Sequence, residues 1–134
     1  MFKFNYAFYI EVDVNGKQRP FITFSHGENY KHLGNLAFGR MSKSVRIKEI
    51  LSEIGNVLTD EKEEYQFAGD DWCIVNFKKD KSTITNGVFD SFEPFEMDSN
   101  LILRLMQDWY KFLLTWENGE IPGITYSPAK GGFV

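Results

Sequence analysis

Two histidines, one cysteine and a few tight carboxylate groups are the side chains with which this chain could do chemistry. His26-Gly27-Glu28 matches the first half of a zinc-deaminase signature, in which the His binds zinc and the Glu moves protons. The second half needs Pro-Cys-x-x-Cys, and Cys73 is the only cysteine, so that chemistry is excluded. His26 and His32 lie six residues apart with no third ligand close in sequence, so no metal site is expected. A Cys–His nucleophile would have to use Cys73, yet Trp72, Ile74, Val75 and Phe77 surround it with apolar bulk. A buried, inert thiol is the expectation. Asp70 with Asp71, or Glu93 with Glu96, could be the paired carboxylates of a glycoside hydrolase. The first pair falls in a turn and the second straddles Pro94, and acid pairs are common by chance. No serine stands in a nucleophile elbow and no glycine run has phosphate-loop spacing. These residues predict a protein that is not an enzyme and needs no cofactor.

Charge says more than motif. Residues 1–50 hold eight Lys and Arg against four Asp and Glu, a balance of +4; residues 51–134 hold seven against fifteen, a balance of −8. The acids gather at Asp60, Glu61, Glu63, Glu64, Asp70 and Asp71, and again at Asp90, Glu93, Glu96 and Asp98. Phosphates repel such a surface, which argues against nucleic acid as a ligand and for a basic partner. One cysteine excludes an internal disulfide. The N-terminal residues lack an unbroken apolar run, Glu11 and Asp13 come early, and no stretch approaches a membrane span. A cytoplasmic protein without a membrane segment is expected. At 134 residues the chain fits one domain, 1–134. Its 13 Phe are expected to fill a core for the most part.

The dominant element is a helix over Asp98–Gly119. Asp98 and Ser99 are N-cap types, Gly119 is a C-cap type and Pro122 follows. Ile102, Leu105, Met106, Trp109, Phe112, Leu113 and Trp116 recur three and four apart, a wide apolar stripe that needs a broad sheet to cover. Leu103, Tyr110 and Leu114 widen it. A shorter helix, capped by Ser42 or Ser44, carries Ile47, Ile50, Leu51, Ile54 and Leu58. Phe4 to Val14 alternates with period two, and Asn15-Gly16 signals a hairpin turn. A two-residue turn there would set Ile10 opposite Phe21 and Phe8 opposite Thr23. Pro20 in the return strand cannot donate to a ladder, so that strand is an edge or is bulged. Residues 25–40 read as a long loop. Tyr65–Phe67, Trp72–Phe77, Ser82–Thr85 and Val88–Phe92 read as four short strands, and residues beyond Gly119 as an irregular tail. The order predicts an α+β fold: an antiparallel sheet with the long C-terminal amphipathic helix and the shorter helix packed on it.

Tyr65-Gln66-Phe67-Ala68-Gly69-Asp70-Asp71-Trp72-Cys73, then Phe92-Glu93-Pro94-Phe95-Glu96-Met97, then Asp108-Trp109-Tyr110-Lys111-Phe112-Leu113 give the chain from about Glu64 to Leu113 a particular style. That stretch resembles the small bacterial immunity proteins that accompany polymorphic or contact-dependent growth inhibition toxins. The resemblance implies a cytoplasmic toxin inhibitor that binds a cognate toxin domain, often a basic nuclease, and occludes it. No binding position transfers with it. The acids Asp70, Asp71, Glu93 and Glu96 are the expected source of complementary charge, and His26, Glu28 and Tyr30 in the long loop the expected source of shape. The alternative is a non-catalytic interaction module, for example a homodimer formed through the Pro20 edge; a small carboxylate-dependent hydrolase ranks below both.

Overall fold

The computed structural model describes residues 6–12, 14–24, 33, 39–68, 73–88, 93–120, 126–127 and 132–133. In chain order these form β1 (Tyr6–Val12), β2 (Gln18–Phe24), a short 3-10 turn (Gly39–Ser42) and α1 (Ser44–Leu58). There follow β3 (Tyr65–Ala68), β4 (Ile74–Phe77), β5 (Lys81–Thr85), β6 (Phe95–Asp98), α2 (Ser99–Glu117), β7 (Tyr126–Ser127) and β8 (Gly132–Phe133). The fold is α+β. Two antiparallel sheets stand where one was expected, with strand orders β2-β1-β7-β8 and β3-β4-β5-β6.

The first hairpin forms where Asn15-Gly16 predicts it, and Gly16 takes the positive φ of +79° that suits glycine. Its register differs from the expectation by one residue: Ile10 opposes Pro20, Phe8 opposes Ile22 and Tyr6 opposes Phe24. The reason is face matching. All six of these side chains are buried, so the observed register puts them on one inner face. A slip of one residue would set buried Phe8 against Thr23, which is exposed. Pro20 lies on β2, and β2 is an edge of its sheet, as a residue without an N–H requires. Part of the tail expected to be irregular instead forms strands: β7 pairs with β1 at Phe8 and Tyr126, and β8 pairs with β7. Two-residue strands have too little periodicity to be read from sequence.

In the second sheet the fourth strand is Phe95–Asp98, a segment outside the four strands expected there. Val88 lies outside any strand, in a turn where its N–H donates to Asn86 Oδ1 at 2.7 Å. Residues 89–92 lie outside the described residues. Pro94 stands just before β6, where its missing N–H breaks no ladder. Register then aligns the inner faces: Val75 with Ile84, and Ser82 with Met97, all four buried.

Both helices bury most of the stripes their spacing predicts. On α2, Ile102, Leu105, Met106, Trp109, Phe112 and Leu113 are buried, Trp116 is half-buried, and Leu114 is exposed. On α1, Ile47, Ile50 and Ile54 are buried, Leu51 and Leu58 are only half-buried, and Val57, outside the expected stripe, is buried instead. One apolar cluster runs through both helices and both sheets. Phe8 of β1 meets Trp109 and Phe112 of α2 at ring-centroid distances of 5.1 and 5.4 Å. Trp109 also donates from Nε1 to the Met41 carbonyl at 2.7 Å, which satisfies its polar edge inside the core.

The long helix begins and ends as its cap residues predict. Asp98 accepts from the Asn100 N–H at 2.9 Å. At the far end Gly119 has φ +74°, its N–H donates to the Trp116 carbonyl and that of Glu120 to the Thr115 carbonyl, a Schellman closure. α1 differs from expectation. Its N-cap is Lys43, which supplies no side-chain bond, and neither Ser42 nor Ser44 caps it.

Candidate interaction surface

The second sheet has one face turned to the core and one turned away from it. Alternation puts Phe67, Val75, Phe77, Ser82, Ile84 and Met97 inside. The opposite face carries a cross-strand row, Gln66–Asn76–Thr83–Glu96, one residue from each strand. Gln66 and Glu96 are exposed, and Asn76 and Thr83 half-buried. This row offers amide, hydroxyl and carboxylate groups across a rigid surface. Asn76 Nδ2 donates to Glu64 Oε2 at 3.2 Å, and the Lys78 ammonium stands 3.8 Å from that same oxygen. Glu64 is thus partly neutralised by its neighbours.

Glu93 and Glu96 are placed differently. Glu96 projects on the outer face from β6, an edge strand, and Glu93 lies two residues before that strand; both are exposed. Neither carboxylate joins an ion pair among the described residues. Asp98, next on the same face, is occupied as the cap of α2. The start of α2 is held rigidly: buried Ser82 and Ser99 hydroxyls meet at 2.6 Å, Ser99 Oγ also donates to the Lys78 carbonyl, and the Ser99 N–H donates to the Asp80 carbonyl at 3.0 Å. The strand that carries Glu96 is therefore anchored at its C-terminal end to both β5 and α2. Asp70, Asp71, His26, Glu28 and Tyr30 lie outside the described residues. Of the seven expected site residues, the structure places Glu93 and Glu96, and it brings them to one sheet edge.

The other outer face is of a different kind. On the first sheet Tyr9 and Phe21 stack across the strands at 5.5 Å, with Glu11 opposite Arg19 beside them. Opposite charges facing one another leave little net field there. Among the described residues no three His, Cys, Asp or Glu side chains gather to hold a metal ion, and no helix is long and apolar enough to cross a membrane. Cys73 is buried.

Two polar contacts went unforeseen. The buried Tyr6 hydroxyl donates to Asp108 Oδ2 at 2.6 Å, tying β1 to α2. Burial first, and then the Asp108 carboxylate, hold this phenol far above its ordinary range. Glu117 of α2 accepts from both the N–H and the hydroxyl of Ser44, at 2.9 and 2.6 Å. Both partners are more than seventy residues apart in sequence, so no local pattern announces them.

Compared with protein-family models, with curated proteins and with solved structures, the chain finds no significant match.

Proposed function

We propose that this chain is a cytoplasmic immunity protein that binds a cognate bacterial toxin domain and neutralises it by occlusion, without catalysis. The observation that carries this reading is the pair of exposed carboxylates, Glu93 and Glu96, without ion-pair partners among the described residues, on the rim of a rigid polar sheet face. Unpaired surface carboxylates on a fixed scaffold attract a basic partner and steer its approach. The acidic balance of residues 51–134 extends the same field. The stretch that resembles immunity proteins, about Glu64 to Leu113, includes the whole of this sheet. A basic nuclease domain is the class of toxin that such a surface suits best.

The test is co-purification with the protein encoded immediately upstream, followed by a growth assay in which that protein is expressed with and without this chain. Binding together with rescue of growth is the expected result. If that neighbour is not a toxin, and a panel of basic nuclease toxin domains also shows no binding, the reading fails.

A further inference from the structure

We propose that Glu117 is a latch shared by two helix ends, which couples the winding of the last turn of α2 to the first turn of α1. The opening turn of α1 lacks the usual local devices. Its N-cap is Lys43 with no capping side chain, and its first turn holds no acidic residue. The N–H groups at a helix start need an acceptor, and the positive end of the helix dipole favours an anion there. Glu117 supplies both from 73 residues away: Oε2 accepts the Ser44 N–H at 2.9 Å and Oε1 the Ser44 hydroxyl at 2.6 Å. For its own helix the same carboxylate is badly placed. It is the last residue of α2, at the negative end of that dipole, and the last turn of α2 has no basic residue to offset it.

Glu117 therefore opposes its own helix end while completing another. Holding it in place requires α2 to stay wound through its last turn. That turn also carries Trp116, whose indole N–H reaches Gln18 Oε1 of β2 at 3.4 Å. Lys43, Ser44, Val45, Trp116 and Glu117 together line an open cavity of about 420 Å³ at this junction. Val45 is 67% exposed at its mouth. Releasing the carboxylate would loosen both walls of this cavity together. The Schellman closure at Gly119 follows directly, so the direction in which the chain leaves α2 depends on the same turn.

Hydrogen exchange on the full chain tests the coupling. In Glu117→Gln, amides of residues 44–50 and of residues 114–120 should both exchange faster, by roughly three- to thirtyfold, the range that loss of a helix cap produces. Amides of β3 to β5 should be unchanged. The prediction for 114–120 runs against the local expectation, because removing an anion from a helix C-terminus by itself steadies that end. Lys43→Asp added to Glu117→Gln gives α1 a cap of its own. It should restore protection at 44–50 and leave 114–120 fast. Ser44→Ala, which keeps the N–H bond and removes the hydroxyl, should give a smaller change in both segments. If Glu117→Gln quickens only 44–50, Glu117 is a cap and nothing more; if it quickens neither segment, the latch does not exist.

Discussion

Trp109 is where one side chain carries the most. It is fully buried, meets Phe8 and Phe112, and donates to the Met41 carbonyl. Trp109→Ala should cost about 3–5 kcal/mol, read as a lower urea midpoint with an unchanged slope; a midpoint equal to wild type would contradict its place in the core. Tyr6 gives a second prediction, one of pH. Its phenol is held above the ordinary value of 10.0 by burial and by Asp108. Below that value folded and unfolded chains both keep the proton. Above it the unfolded chain releases the proton while the folded chain retains it, so stability falls as pH rises, by about 1.4 kcal/mol per pH unit from this one group. Stability of wild type and Tyr6→Phe should therefore converge as pH is raised above 10, because the variant lacks this slope. Parallel stability curves for the two proteins would show that the folded phenol titrates normally. Cys73, fully buried, should react with a thiol reagent only as fast as the protein opens.

Element by element, periodic and punctuated stretches were legible in the sequence. The stripe and caps of α2, the stripe of α1 and the edge position of β2 follow from spacing, Asp98, Gly119 and Pro20. What was not legible depends on partners distant in the chain. The register of β1 on β2 is decided by which face of Phe8 and Ile22 meets the core, and a turn dipeptide carries no information about that. Phe95–Asp98 alternates apolar and polar residues, but at four residues it is short and runs straight into α2, so its period is too brief to separate from the helix start. Ser44 reads as a cap in sequence, but its hydroxyl is given to Glu117. Of the expected contact residues only Glu93 and Glu96 fall on described structure, and their exposure agrees with their charged types. Pro20 supports a prediction at this scale. With no N–H, it leaves a gap in the outward-facing donors of an edge strand, a device that discourages pairing with another chain. Pro20→Thr restores that donor and should increase concentration-dependent association in light scattering relative to wild type. An unchanged mass across the same concentrations would mean that the β2 edge is protected by something else.

For the molecule as a whole, the question is how an overall charge of only −4 could favour a basic partner. The answer lies in distribution. The first fifty residues are positive on balance and the rest negative, so the excess acids fall in the part of the chain that includes the second sheet and α2, where they add to a negative field. Within that field, charges already in pairs contribute little: Lys79 with Asp60, Lys62 with Glu53 and Arg46 with Glu49 largely cancel at a distance. Among the described residues Glu93 and Glu96 have no such ion-pair partner, and β6 beneath Glu96 is anchored to β5 and to the start of α2. Reversing both, Glu93→Lys with Glu96→Lys, should leave the fold intact because both side chains are exposed. It should slow association with a basic toxin domain by about tenfold or more at low salt. The deficit should shrink as salt rises, since charges separated by more than about 8 Å are largely screened at 0.15 M ionic strength. Reversing Glu61 and Glu63, exposed acids in the segment between α1 and β3, provides the comparison. If that pair slows association as much as the β6 pair, net charge alone governs encounter. If neither pair does, the partner approaches by another face, and the acidic rim is only solvated surface.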